Sequence, residues 1–284
     1  MTGFSADWLA LREAADRRAR NVELAERAAH LLAGHSPLRV VDLGSGTGAN
    51  LKITAPRLGP HQKWTLLDYD AALLAEARVQ LSAWADTAEP YGDALHLTQG
   101  GKRIEVAFCQ ADLAHAPERI IADAPHLITA SAFFDLVSQA WISTFADLVA
   151  RQKAVFFTVL TCDGRDRWQP PHPADAAITH GFTTHQAGDK GFGPAAGNAA
   201  TTDLVAAFTR NGYEAASADS TWRLDPADHA LIRALAAGTA AAAHAAGSVS
   251  AAEAQAWAEA RAAATVCDIG HTDLLAWPGG DPTG

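Results

Sequence analysis

The sequence predicts a doubly wound α/β fold with a mostly parallel sheet, on three observations. Short apolar runs alternate with helical stretches through the first half of the chain. The first run ends in the glycine-rich turn Gly44-Ser45-Gly46-Thr47-Gly48, and acidic residues stand where later runs end. Strands buried on both faces read as continuous apolar runs, and parallel neighbours need crossover helices between them. With 284 residues, 49% of them hydrophobic, the chain can bury a large core in one domain that carries insertions.

Taken in order, residues 5–33 place Leu24, Ala28, Leu31 and Leu32 at helical spacing, with Gly34 as a stop and Asn21 as a cap that divides the stretch into two helices. Leu38–Leu43 is the first strand, followed by a helix near 50–58. Trp64–Asp68 is the second strand, followed by a helix over 71–83. Residues 86–102, with Pro90, Gly92, Gly100 and Gly101, read as a loop-like insertion. Ile104–Cys109, His126–Ala130 and Ala154–Leu160 are strands three to five, with helices at 116–123 and 138–151.

Residues 161–200 are rich in Gly, Pro, His, Asp and Thr and show no periodic segment, and a loop of that length in a compact domain is often functional. A helix over 201–211 and a sixth strand, Glu214–Leu224, follow. An alanine-rich stretch, 226–264, reads as two helices broken near Gly247-Ser248. His271–Trp277 is the last strand, and the tail from Pro278 is expected to fray.

A formal net charge of -10 and the lack of a basic face argue against nucleic acid as a partner. The opening MTGFSADW has neither the basic start nor the apolar run of a secretion signal, and no window reaches membrane-span length. Three cysteines without paired spacing suggest reduced thiols in a cytoplasmic protein. The twelve histidines form no metal-ligand spacing, so no metal site is expected.

Glycines suit a sharp strand-to-helix turn where a ligand lies on bare backbone. Gly44, Gly46 and Ala49 also satisfy the dinucleotide fingerprint. Asp42, inside the end of the first strand, weighs against that alternative. Its carboxylate would repel a pyrophosphate and favour a sulfonium or an amino group.

The spacing Gly44-x-Gly46-x-Gly48 after Asp42 resembles the first motif of class I S-adenosylmethionine-dependent methyltransferases. The resemblance continues in Asp68 at the end of strand two, in Gln110-Ala111-Asp112-Leu113 after strand three, and in Thr129–Phe134 at the end of strand four. It covers roughly residues 35–160. It implies a Rossmann-like seven-stranded sheet whose last strand is antiparallel, with 226–264 a helical insertion between strands six and seven. It implies S-adenosyl-L-methionine as cofactor, held by Asp42, Gly44, Ser45, Gly46, Gly48, Asn50, Asp68, Tyr69, Asp112, Leu113 and Ser131. In that scheme Asp68 accepts the ribose hydroxyls, the Asp112 segment holds the adenine, and Ser131 lies in the floor beneath the methionine part.

Methyl transfer asks mainly for in-line alignment, and a base helps only where the acceptor arrives protonated. Candidate bases are Asp135 after strand four, His180, and His185 in the glycine-punctuated run Thr183–Gly193. The missing Asn/Asp-Pro-Pro-aromatic element after strand four argues against nucleobase methylation. A small polar acceptor, methylated on O, N or S, is therefore expected. A protein or RNA methyltransferase, a nicotinamide-dependent oxidoreductase and a silent cofactor-binding module are the alternatives. The insertion is expected to act as a lid over the acceptor or as the contact of a homodimer.

Overall fold

A computed structural model describes residues 4–280. The elements run α1 (Ala6–Ala19), α2 (Val22–Leu31), β1 (Leu38–Leu43), α3 (Ala49–Thr54), β2 (His61–Asp68), α4 (Ala71–Trp84), β3 (Thr87–Tyr91), β4 (Ala94–Gln99), β5 (Lys102–Gln110) and β6 (Leu127–Ser131). They continue α5 (Gln139–Gln152), β7 (Val155–Gln169), α6 (Asp175–Gln186), α7 (Ala200–Arg210), β8 (Tyr213–Asp219), β9 (Trp222–Leu224), α8 (His229–Ala245), α9 (Ala251–Arg261) and β10 (Val266–Pro278). The opening residues used for the secretion-signal expectation lie partly outside the described range, as does the end of the tail.

One sheet has the order β3-β4-β5-β2-β1-β6-β7-β10-β8, with β9 also on β10. From β5 through β7 every pair is parallel. β10 runs antiparallel to both of its neighbours, β7 and β8. The seven expected strands are thus β5, β2, β1, β6, β7, β10 and β8 in space, the last strand inserted between the fifth and sixth. This is a Rossmann-like doubly wound sheet with three strands added.

Side chains alternate across the sheet and sort the core into two layers. Val40, Phe157 and Leu275 face the layer under α2, α3 and α4. Their neighbours Val41, Phe156 and Leu274 face the layer under α5 and α7, where Phe145, Phe156 and Phe208 interlock. Each such fully buried side chain contributes roughly 1.5–3 kcal/mol relative to exposure. Asn21 does divide the first helical stretch, its side chain accepting from Leu24 N at 2.9 Å.

Several expectations need correction. Residues 86–102 are a β-hairpin, β3 and β4, that lengthens the sheet beyond β5. Pro90 sits on the outermost strand, where its missing N–H costs no ladder bond, and Leu95 and Leu97 alternate inward. Helix 116–123 is a single 3-10 segment, Pro117–Ile121. Residues 161–200 are not a loop throughout: β7 continues to Gln169 and α6 follows. Glu214–Leu224 is two strands, β8 and β9, separated at Ser220-Thr221.

The long β7 and β10 form a ribbon that outruns their parallel neighbours and carries β9 beside it. Helices α6, α8 and α9 pack there as a cap, with Trp168 of the ribbon edge-on to Trp257 of α9 at 5.4 Å between centroids. Trp257 Nε1 donates to Asp175 at 2.8 Å, and the buried Arg261 pairs with the same carboxylate. Among the described residues, no helix is long and apolar enough to cross a membrane.

Candidate active site

The carboxyl ends of β1, β2, β5, β6 and β7 meet at one rim, where ligands bind in open α/β sheets. The turn after β1 has positive φ at Gly44 (57°) and Gly46 (53°), which favours glycine. Space reinforces the requirement. A β-carbon at Gly44 would stand 2.7 Å from the Phe133 ring, and one at Gly46 would stand 2.9 Å from Leu9 Cδ1. Leu9, on α1, and Phe133, after β6, therefore lie directly on bare backbone. Gly48, also left-handed, caps α3.

Asp42 is fully buried at the end of β1. Its Oδ1 accepts from Asn50 Nδ2 at 2.7 Å, while its Oδ2 has no partner. Burial pushes its carboxyl up to about 7, against the pull of Asn50 and the Arg20 charge. Arg20, at the end of α1, donates through Nη1 to Asn50 Oδ1 at 2.7 Å and through Nη2 to Ser131 Oγ at 3.4 Å. Its Nε is buried and unpartnered. A carboxylate and a guanidinium, each with one unmet bond, thus stand on either side of one amide.

Asp68 ends β2 with its Oδ2 accepting from Gly46 N at 2.7 Å and its Oδ1 from Asp70 N at 2.9 Å. It braces the glycine turn, and each oxygen keeps a second lone pair for a hydroxyl. Ser45 hangs from Leu67 O through its N–H at 3.1 Å, and its buried Oγ has no partner. Tyr69 is exposed on the same rim. Asp112 caps the turn after β5, accepting from Ala114 N at 3.1 Å, and pairs with His115 at 2.9 Å, which holds its carboxyl below the usual range. Leu113 is buried, with its carbonyl accepting from Trp141 Nε1.

On the far side of Phe133, Asp135 is 7% exposed. Gln186, the last residue of α6, donates to its Oδ2 at 3.2 Å, and its Oδ1 has no partner. Burial raises its carboxyl to about 6, opposed by its own backbone N–H, the Arg12 charge, the Gln186 amide and the Cys162 backbone N–H. Beside it, burial and the Asp135 charge push the Cys162 thiol up to about 11. Cys162 pairs in register with His271 of β10, whose ring burial holds neutral, down to about 3.

Of the three candidate bases, only Asp135 is enclosed, and His180 stands exposed on α6. His185 lies exposed at the end of α6, and the inward residue of that segment is its neighbour Gln186. Sequence reasoning also missed Arg12 and Arg20, and it placed Phe133 only within the segment at the end of strand four. Arg12 lies on α1 and Arg20 just beyond its end, and nothing local in the sequence distinguishes them from solvent-facing arginines. Among the described residues, no group of three or more His, Cys, Asp and Glu side chains is placed to hold a metal ion.

No protein-family model matches the chain, and no curated protein matches it. Solved structures do. A cyclopropane-fatty-acyl-phospholipid synthase-like protein from Lactobacillus casei aligns over 97% of this chain and 95% of its own, at 14% identity and a TM-score of 0.52. The YcgJ protein from Bacillus subtilis aligns over 92% of this chain and 100% of its own, at 12% identity and a TM-score of 0.50. These two likenesses show a shared fold. An S-adenosylmethionine-dependent methyltransferase from Geobacter sulfurreducens, solved with S-adenosyl-L-homocysteine, aligns over 97% of this chain and 99% of its own, at 16% identity and a TM-score of 0.45.

Proposed function

We propose that the chain is an S-adenosylmethionine-dependent methyltransferase acting on a small polar molecule. The observation that carries this reading is the pair of unmet groups beside the glycine turn, Asp42 Oδ2 and Arg20 Nε. A buried polar atom left without a partner is costly, so both atoms fit a ligand that completes them. An α-amino-acid end offers an ammonium to Asp42 and a carboxylate to Arg20. A pyrophosphate, the ligand of the nicotinamide alternative, offers Asp42 only repulsion.

The other parts of the cofactor have matching partners. Asp68 suits the ribose hydroxyls, and the Asp112–Leu113 turn suits the adenine. When bound, the cofactor supplies a methyl group on a sulfonium, which leaves without help from an acid. What remains for the protein is to exclude water and align the acceptor. Leu9 and Phe133 close the glycine turn from two sides, and Gln186 ties the cap to Asp135. An acceptor site closed by α1 and the cap suits a small molecule better than a polymer.

Calorimetry with S-adenosyl-L-homocysteine and with NADH tests the cofactor, and binding of the former alone is expected. Incubation with S-adenosylmethionine and the small-molecule fraction of a cell extract should then yield a mass gain of one methyl group. Binding of NADH without S-adenosyl-L-homocysteine would overturn the reading.

A further inference from the structure

The charges around Asp135 do not balance. Arg12, whose charge acts on Asp135, is already matched by Asp16, with Nε to Oδ2 at 2.9 Å and Nη2 to Oδ1 at 3.2 Å, and its guanidinium lies over the Trp222 ring. Arg165 is taken by Asp163 and Asp219. His271 and Cys162 are neutral where they stand. Gln186 offers Asp135 an amide and no charge. A carboxylate 7% exposed therefore has the backbone N–H groups of Asp135 and Cys162 and one amide around it, an Oδ1 that makes no hydrogen bond, and no ion pair among the described residues. Close by in sequence on β7, Thr161 Oγ1 is buried and equally without a partner.

Two residues before Asp135, Phe133 stands in an aromatic cluster with Phe134, Trp141 and Phe192. Phe133, which rests on Gly44, meets Phe192 edge-on at 5.7 Å between ring centroids. Cations favour aromatic faces, and buried carboxylates favour cations. On the geometry and charge of this corner, and resting on the methyltransferase reading above, we infer that the acceptor is an amine, bound as its ammonium by Asp135 beside the Phe133–Phe192 wall.

The same contact serves the transfer. Asp135 Oδ1 accepts one N–H proton, which frees the nitrogen lone pair. The nitrogen forms the new C–N bond as the methyl's C–S bond breaks, and that bond's electron pair stays on sulfur. The products are a methylated ammonium and a neutral thioether, and the proton on Asp135 returns to solvent. An alcohol acceptor would leave the Asp135 charge without a counter-cation, and a carboxylate acceptor would add a second negative charge.

Three fragments of one shape test the assignment on the full chain saturated with S-adenosyl-L-homocysteine: benzylamine, benzyl alcohol and benzoate. Protein-observed NMR titration should show benzylamine binding about tenfold more tightly than the other two, the scale of one charge-assisted bond. Asp135→Asn, which keeps the shape and removes the charge, should erase that preference and leave S-adenosyl-L-homocysteine affinity unchanged. Equal binding of the three fragments, preference for benzoate or the alcohol, no binding of any, or a benzylamine preference that survives Asp135→Asn would overturn the amine assignment. Should the variant not fold, the wild-type ranking alone decides. Failure to bind S-adenosyl-L-homocysteine is a separate result, and it would remove the methyltransferase reading itself.

Discussion

Arg20 and Asp42 share a single amide: Asn50 accepts from Arg20 Nη1 through its Oδ1 and donates to Asp42 Oδ1 through its Nδ2, each at 2.7 Å. Asn50 Nδ2 also reaches Thr129 Oγ1 at 3.2 Å, which fixes the amide's orientation. The guanidinium and the carboxylate are therefore held in fixed positions, and on the reading proposed above little reorganisation is needed to bind a ligand.

Arg20→Met should weaken S-adenosyl-L-homocysteine binding by about 1.5–3 kcal/mol, the range of a hydrogen bond to a charged group. Binding of 5′-methylthioadenosine, which has no amino-acid end, should be unchanged. Calorimetry with both ligands separates the outcomes. An equal loss for both would mean that Arg20 supports the fold and does not touch the ligand.

Asp42 gives a second expectation through its proton. Burial lifts its carboxyl from 3.8 to about 7. Below about pH 4 the carboxyl is protonated in folded and unfolded chains alike. Between about 4 and 7 the folded protein holds a proton that the unfolded chain has released, so stability falls as pH rises through this window. Asp135, raised to about 6, adds a slope of the same sign. A cationic ligand favours the ionised carboxylate, so S-adenosylmethionine binding near pH 6 should release protons. Calorimetry in buffers of different ionisation enthalpy should detect this release, and Asp42→Asn should remove most of it. Binding that is independent of the buffer would contradict the raised pKa.

These expectations rest partly on residues legible in the sequence and partly on ones that were not. β1, β6 and the end of β2 were readable as buried apolar runs, β5 because Ile104 and Val106 alternate inward, and the glycine turn because its backbone needs are met by few other residues. The hairpin β3–β4 was hidden by Pro90 and Gly92, which mark an edge strand and a tight turn here but read equally well as loop. The far end of β7, Asp163–Gln169, alternates between ribbon faces and carries mostly charged side chains, so it shows no apolar run. Asp135 was legible as the residue after a strand end. Gln186 was not, because a neutral amide advertises no chemistry until the carboxylate it meets is in place. Arg12 and Arg20 acquire a role only from the packing of α1 against the rim.

The alanine-rich cap has its own logic. α6 crosses α8 closely, and a β-carbon at Gly181 would stand 2.8 Å from Ala243 Cα and 2.7 Å from Ser248 Cβ. Alanine and glycine allow that approach where larger side chains would hold the helices apart. Gly181→Val should overpack the crossing and cost about 1–3 kcal/mol in stability, read by thermal unfolding. S-adenosyl-L-homocysteine affinity should stay unchanged, because a β-carbon at Gly181 meets only Ala243 and Ser248, which are not among the cofactor residues. A stable variant would mean that α6 and α8 can separate without penalty, which would put the closed cap in doubt.

Asp68 is given two tasks by its position, and they can be told apart. Its oxygens accept from Gly46 N at 2.7 Å and Asp70 N at 2.9 Å, so Asp68→Ala leaves two N–H groups of the rim without an acceptor. That loss should lower the stability of the ligand-free protein by about 1–3 kcal/mol. The ribose task needs a ligand comparison, because a distorted glycine turn would weaken any ligand. Wild-type protein should bind S-adenosyl-L-homocysteine more tightly than its 2′,3′-dideoxyribose analogue, and Asp68→Ala should bind the two alike. The four affinities form a double-mutant cycle whose coupling energy isolates the carboxylate–hydroxyl contact from damage to the turn. A coupling energy near zero, with both ligands weakened equally, would leave Asp68 as a brace for the glycine turn and assign the ribose to another residue.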